Sequence, residues 1–177
     1  MDKIIESQNI RLIAGTEAVL SACLKGNDQL STLLNIKVPW QWSEFGEVVI
    51  QFALEQIQQD AKQNYWWTWL PIHKKDNLLI GSCGYKGKPE EGMVEIGYEV
   101  IEPYRNKGFA TEIALALVKN AFEYKDVNLV QAHTLADKNP STKVLVKCGF
   151  QWVEEVEEEE DGTIWKWELK RSDFNKR

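Results

Sequence analysis

Cysteine is scarce in this 177-residue sequence, and long apolar runs are missing. The three cysteines, Cys23, Cys83 and Cys148, are odd in number and show no CxxC spacing, which argues against a disulfide scaffold or a zinc ribbon and fits a reducing compartment. The longest apolar runs, such as 113–118, fall far short of the ~20 residues that span a bilayer. The first residues lack the apolar core of a signal peptide. We therefore predict a cytoplasmic protein with no membrane partner.

Basic residues are fewer than acidic residues. The chain has 21 Lys and Arg against 27 Asp and Glu, a net charge of −6. Because nucleic-acid phosphates require a basic footprint, duplex nucleic acid is excluded as the main partner. The two histidines, His73 and His133, have no cysteine or carboxylate at metal-ligand spacing, so we expect no metal. The acidic run at 154–161 fits a solvated strand edge better than an acidic lip that attracts an amine.

What the sequence does contain is an alternation of strand and helix patterns. The length and the 44% apolar content predict one folded domain over residues 1–177. Strands are predicted at 4–13, 65–72, 78–85, 93–101, 129–136, 150–156 and 163–170, and helices at 16–24, 44–61, 107–124 and 140–147. Interleaved strands and helices of this kind indicate an α/β or α+β fold with a mixed sheet.

Several element ends carry their own signals. Thr16, Ser43 and Asn139 are predicted to cap the helices that follow them. Gly149 stands just after a helix, where a left-handed residue is favoured. Asp161-Gly162 is the strongest short hairpin signal in the chain and predicts that the last two strands are antiparallel neighbours.

The segment around Gly108 is the most informative for function. A strand ends, and a short loop carries Arg105-x-x-Gly108-x-Ala110 into a helix with an apolar stripe. The free N–H groups of a first helical turn suit a phosphate or diphosphate, and a glycine lets the backbone approach it closely. Arg105 and Lys107 would add full positive charges. Tight strand–helix packing is the alternative reason for the glycine.

A second segment, Asn139-Pro140-Ser141-Thr142 followed by Gly149-Phe150, lies 34 residues after Arg105. Together the two segments resemble the GNAT superfamily of acetyl-CoA-dependent N-acetyltransferases. Its first motif, [RQ]-x-x-G-x-[GA], is satisfied by Arg105–Ala110, and its second, looser motif by Asn139, Thr142 and Gly149-Phe150. Arg11-Leu12 and the tryptophans of the last strand are similar to the ribosomal-protein N-terminal alanine/serine acetyltransferase branch.

The resemblance implies a GNAT-type mixed, mostly antiparallel sheet of about seven strands with helices on both faces. It implies acetyl-CoA as cosubstrate, a primary amine as acceptor, and a monomer or homodimer. The strand at 93–101 would pair with the pantetheine arm, and a backbone N–H near Glu99 or Val100 would face the thioester carbonyl. The expected cofactor contacts are Glu99, Val100, Ile101, Arg105, Asn106, Lys107, Gly108, Phe109, Ala110 and Asn139.

The general base must be chosen between two carboxylates. Glu95 and Glu99 alternate onto the same face of a strand, yet at ~3.3 Å per residue they lie ~13 Å apart, so both cannot serve one reacting carbon. Glu95 stands ten residues before Arg105, which matches the base of family members that use a glutamate. We therefore predict Glu95 as base, acting through water, with Glu99 as the second choice.

The general acid is where the sequence departs from the family. Many members place a tyrosine seven residues after the motif asparagine, and here that position is Val146, which cannot donate a proton. The ribosomal-protein branch has a serine three residues after the asparagine, and Thr142 holds that position. Hydrogen bonding at the start of its own helix is a competing role for Thr142.

Two rival functions stay open at this stage. One is a non-catalytic acetyl-CoA sensor or interaction module on the same fold, which Val146 encourages. The other is an unrelated phosphate-binding α/β enzyme. The acceptor amine has no readable code in the sequence, although some of the tryptophans at 40, 42, 66, 67 and 69 are expected to line a pocket.

Overall fold

The computed structural model describes residues 3–159 and 162–176. The strands of this part form one nine-stranded sheet in the order β1-β2-β3-β5-β6-β7-β9-β8, with β4 paired to β3. Their bounds are β1 Ile4–Glu6, β2 Ile10–Ala14, β3 Thr68–His73, β4 Leu78–Leu79, β5 Gly81–Tyr85, β6 Met93–Val100, β7 Leu129–Leu135, β8 Gln151–Glu158 and β9 Gly162–Lys170. The helices are α1 Glu17–Lys25, α2 Asn27–Leu34, α3 Gly46–Gln59, α4 Phe109–Glu123, α5 Pro140–Cys148 and α6 Arg171–Phe174. The expected mixed, mostly antiparallel architecture is confirmed, with more strands than the seven predicted.

The N-terminal third departs most from the prediction. The single strand expected at 4–13 is a hairpin, because Ser7 turns the chain and bonds Ile10 through both its backbone and its hydroxyl. Helix α2 was not predicted, since its sequence NDQLSTLL has only Leu30 fully buried and little apolar periodicity. Ser43 does not cap α3, which begins at Gly46 after Phe45 without a side-chain cap.

The other capping predictions are confirmed. Thr16 accepts a hydrogen bond from the backbone of Val19 at the start of α1, and Asn139 accepts one from Thr142 at the start of α5. Gly149 ends α5 in the left-handed conformation with φ 90°. The β8–β9 hairpin is present, although Asp161 of its predicted turn lies outside the described residues.

Helices cover both faces of the sheet. Alternation along β2 sends Ile10 and Leu12 into the core cluster that contains the apolar stripe of α4, and Ile13 into the cluster that contains α1 and α2 residues. Leu117 at the centre of α4 is fully buried. Across the described stretches, none of the helices has the length and apolar character needed to cross a bilayer.

The feature that positions the site is the junction of β6 and β7, the parallel strand pair of this sheet. Their pairing runs through three steps, from Met93↔Leu129 to Glu95↔Gln131. Beyond that step the strands are paired only to their outer neighbours, β5 and β9, in the described chain. The sheet therefore opens into a wedge between the carboxyl half of β6 and the carboxyl half of β7.

Candidate active site

On the β6 side of the wedge, backbone groups without a strand partner face the opening. Ile101 donates its N–H to Ile80 at 2.9 Å and Glu95 accepts from Lys86 at 3.0 Å, so odd-numbered residues of β6 bond towards β5. Backbone direction alternates along a strand, and the even-numbered Tyr98 and Val100 therefore direct their N–H groups into the wedge. Of the predicted backbone contacts, Val100 has the required direction, whereas the N–H of Ile101 is already used by β5.

The first turn of α4 begins at the mouth of this wedge. Gly108 precedes it with φ 85°, and among the described residues no side chain caps this end of the helix. The residues 106–108 are exposed, and a Cβ added at Gly108 would meet no atom within 4 Å. Phe109 and Ala110 follow, half-buried. Exposed, uncapped N–H groups at the start of a helix are donors that suit an anion, and binding of a diphosphate here stays a prediction.

The two cationic side chains of the loop already have hydrogen-bond partners within the protein. Arg105 donates its Nε to the carbonyl of Val100 at 2.7 Å and an Nη2 proton to Glu44 at 2.6 Å. Lys107 donates to the carbonyl of Pro103 at 2.7 Å. In this arrangement Arg105 ties the loop to the end of β6, and the placement of both charges beside a diphosphate stays a prediction.

Glu95 lies on the face of β6 opposite α4 and is mostly buried, with 16% of its side chain exposed. Its Oε1 accepts from the Nδ1 of His133 at 2.9 Å and from the Nζ of Lys86 at 2.5 Å. Burial acts to raise the pKa of Glu95, but the hydrogen bond from His133 and the ion pair with Lys86 outweigh it and leave the pKa below its ordinary value. Glu95 is therefore held ionised.

His133 was missed by the sequence reasoning, which considered it only as a metal ligand. Its partner is found only when the strand neighbours are known, because Gln131 pairs with Glu95 and His133 follows two residues later on the same face of β7. No cluster of three or more metal-binding side chains occurs in the part of the chain that the structure describes.

Glu99, the second-choice base, is hydrogen-bonded to the segment that precedes α3. It accepts hydrogen bonds from the hydroxyl of Ser43 at 2.5 Å and from the backbone N–H of Glu44 at 2.8 Å. Burial raises the pKa of Glu99 above its ordinary value despite these two donors. Glu99 thus anchors the segment that precedes α3, and through Glu44 that segment also reaches Arg105.

Asn139 and Thr142 of the second motif are hydrogen-bonded to each other at the start of their own helix, α5. Thr142 is buried and donates its hydroxyl proton to the carbonyl of Asn139 at 2.8 Å. The Asn139 side chain accepts from the Thr142 backbone at 3.1 Å and donates to Asp137 at 2.7 Å. Val146 is exposed on α5. Both predicted groups, Asn139 and Thr142, therefore already have hydrogen-bond partners within the protein.

Two cavities lie on the side of α3. One of about 180 Å³ is lined by both Trp40 and Trp42 and by Ser43, next to the segment that Glu99 anchors. The other, of about 400 Å³, lies between Leu24 and the side chains of Val48 and Phe52. Trp40 and Trp42, two of the tryptophans expected to line a pocket, border the smaller of these cavities, although Trp40 is almost fully exposed.

Comparison with known proteins gives the class of protein that carries this wedge, uncapped helix start and buried carboxylate. The family described as "Acetyltransferase (GNAT) domain" matches residues 16–151. The chain is also 27% identical over 150 residues to uncharacterized N-acetyltransferase YjdG of Bacillus subtilis (strain 168), covering 83% of this chain and 89% of that protein. This chain belongs to the GNAT acetyltransferase family and is an acyltransferase.

Solved structures show the same fold. RimL, a ribosomal L7/L12 alpha-N-protein acetyltransferase in complex with coenzyme A, superposes with a TM-score of 0.68 at 17% identity, over 95% of this chain and 98% of that one. The ribosomal-protein-S5-alanine acetyltransferase from Vibrio fischeri also gives 0.68 at 17% identity, over 98% and 99%. The ribosomal-protein acetyltransferases that the sequence resembles are thus among the proteins with this fold.

Proposed function

We propose that this protein transfers the acetyl group of acetyl-CoA to a primary amine by direct attack in a ternary complex. The observation that carries the proposal is the wedge between β6 and β7, which opens beside the uncapped start of α4. An extended chain with hydrogen-bonding amides can lie along the free edge of β6 while a diphosphate contacts the α4 amides.

The residues present fit acetyl-CoA. Tyr98 and Val100 offer backbone groups to the pantetheine arm, and the N–H groups that follow Gly108 offer donors to the diphosphate. We assign this role to the backbone from Asn106 to Ala110, with Arg105 positioning the loop through Val100 and Glu44. The cosubstrate supplies an activated thioester, and the protein supplies the anchoring and the removal of a proton.

We assign removal of the amine proton to the site of Glu95. Amines with ordinary pKa values of about 8–10.4 are mostly protonated at neutral pH, so a fixed acceptor at the wedge assists attack. Glu99 is the weaker candidate because Ser43 and Glu44 already occupy its carboxylate. Thr142 is kept as the candidate acid for the departing thiolate, although its hydroxyl would first have to leave the Asn139 carbonyl.

Ligand-dependent thermal unfolding tests the cosubstrate. Acetyl-CoA at about a hundred times its Kd should raise the free energy of unfolding by about 2.7 kcal/mol. CoA should do the same, whereas ADP without pantetheine should stabilise the protein far less. Equal stabilisation by ADP would mean that the pantetheine arm adds nothing to binding and would count against the β6 contacts, and no stabilisation by acetyl-CoA or CoA would refute the assignment.

An acceptor panel tests the reaction. Release of CoA thiol would be followed with peptides bearing a free N-terminus, spermidine, an aminoglycoside and free amino acids, and acetylated products would be identified by mass spectrometry. We expect one class to give thiol release and an acetylated amine. Binding of acetyl-CoA without acetyl transfer to any of them would favour the non-catalytic sensor module.

A further inference from the structure

The Glu95 site contains a second titratable group that neither the sequence motifs nor the family match assigns. His133 lies on β7 directly beside Glu95, and its side chain is 15% exposed. It stands two residues past the last paired step of β6 and β7, about 6.6 Å further along the strand. His133 is therefore on the wall of the wedge rather than under the closed part of the sheet.

The hydrogen bond to Glu95 determines the proton position on the imidazole. An ionised carboxylate can only accept, so the Nδ1 of His133 must carry the proton of the 2.9 Å bond. In a neutral imidazole the lone pair then lies on Nε2. This is the arrangement in which a carboxylate orients a histidine so that its other nitrogen accepts a proton.

Glu95 itself is poorly suited to be the direct acceptor. Its Oε1 already receives two donors, Nδ1 of His133 and Nζ of Lys86, and both interactions stabilise the ionised form. A carboxylate stabilised in this way is a weaker base than a free one. A neutral imidazole is intrinsically better matched to proton transfer near neutral pH.

The charged and polar groups around His133 come from every neighbouring strand. Lys166 of β9 is its cross-strand partner, but that ammonium is held by Glu154 and Glu168 at 3.2 and 3.5 Å. On β7 the Nε2 of Gln131 lies 3.5 Å from the Nε2 of His133, at the outer limit of a hydrogen bond. The charged and polar groups that these contacts and strand pairings place around the imidazole, among the described residues, are Lys86, Glu95, Gln131, Glu154, Lys166 and Glu168.

We propose that Nε2 of His133 accepts the proton of the attacking amine and that Glu95 is the positioning residue that holds the imidazole. The inference rests on the proposed acetyl transfer. The amine nitrogen forms a bond to the acetyl carbon, the carbon–sulfur bond breaks, and the nitrogen's proton passes to Nε2. The CoA thiolate leaves and takes its proton from the candidate acid Thr142 or from water. Glu95 then acts through His133, in place of the water predicted from the sequence.

The first test reads the imidazole directly and needs no acceptor. With only two histidines in the chain, 15N spectra of the imidazoles are assigned by comparison with His133→Gln, and His73 serves as internal reference. At about pH 8 we expect His133 to carry its proton on Nδ1, and Glu95→Gln to reduce the population of this tautomer. A proton on Nε2 in the wild-type protein would overturn the proposal, because no lone pair would then face the amine.

The second test uses the acceptor found in the amine panel. His133→Gln should lower kcat/KM at pH 7 by roughly 10²–10³-fold and should remove the part of the acid limb of the pH–rate profile that protonation of the base produces. The KM for acetyl-CoA should change less than about twofold, and the exposed Glu123→Gln should behave as wild type. A His133→Gln enzyme whose pH–rate profile keeps the wild-type acid limb would overturn the proposal. If no amine of the panel is acetylated, the result counts against the proposed acceptor class, and the tautomer test alone decides on His133.

Discussion

Replacing Gly108 by alanine separates the fold from the proposed binding site. Gly108 has φ 85°, in the left-handed region, and a Cβ there would meet no atom within 4 Å. The cost to the fold is therefore conformational only, about 1–2 kcal/mol for a non-glycine residue in this region. For a chain of this size that corresponds to a fall in Tm of roughly 2–8 °C.

Gly108→Ala should cost more binding free energy for CoA than unfolding free energy of the protein. The added methyl group stands where a diphosphate would contact the α4 amides, and losing one hydrogen bond to a charged group costs about 1.5–3 kcal/mol. That corresponds to roughly 10–100-fold in Kd. At a ligand concentration of 100 wild-type Kd, a hundredfold weaker variant would be stabilised by only about 0.4 kcal/mol instead of about 2.7.

The assay is thermal unfolding with and without CoA, combined with calorimetric titration. Gly162→Ala is the matched control, because Gly162 has φ 69°, also has no atom within 4 Å of an added Cβ, and lies at the β8–β9 hairpin. It should lose similar stability and keep its affinity for CoA. A Gly108→Ala protein that binds CoA as tightly as Gly162→Ala would refute the reasoning.

Three further substitutions test other parts of the account. Glu112→Gln removes a carboxylate that accepts hydrogen bonds from Ser7 and Asn9. Burial acts to raise the pKa of Glu112, but these hydrogen bonds outweigh it and lower the pKa. The variant should lose about 1–3 kcal/mol of unfolding free energy, measured with urea at pH 7. A lowered pKa stabilises the fold fully above the ordinary glutamate value of about 4.5, and this gain is lost as pH falls from there through the lowered pKa. The difference should therefore shrink on acidification below about pH 4.5, and a pH-independent difference would contradict this. Leu117→Ala should lower the free energy of unfolding by about 2–5 kcal/mol in the same assay, because the side chain is fully buried. A loss under about 1 kcal/mol would contradict the burial of Leu117 between α4 and the sheet. Thr142→Val should lower stability by about 1 kcal/mol, because its bond to the Asn139 carbonyl is lost; a fall in kcat beyond about 100-fold with unchanged stability would instead identify it as the acid.

The C-terminal half of the chain was predictable because its signals are local. Asn139 and Gly149 carry their capping geometry within a few residues, and the apolar stripe of α4 repeats at helical spacing over four turns. These signals survive in the fold because tertiary packing agrees with them. The N-terminal part has weaker signals, and the turn at Ser7 and the helix Asn27–Leu34 were missed.

The sequence indicated which segments form the candidate site, but not which side chains contact one another there. The loop motif indicated the start of α4 correctly, yet the partners of Arg105 come from Val100 and from Glu44, which is 61 residues away. The pair of Glu95 and His133 depends on which strands are neighbours, and the residues of a single sequence do not give that order. Long-range pairing of this kind is set by sheet topology rather than by any local pattern.

The central claim is that the backbone at the start of α4 and along the open edge of β6 holds acetyl-CoA. A titration of 15N-labelled protein with CoA, followed by amide chemical shifts, tests it most directly. The account predicts that the largest shift changes fall on the amides of residues 108–111 and of Tyr98 and Val100, all at one Kd. Changes confined to the α3 cavities, with these amides unmoved at saturating CoA, would contradict it.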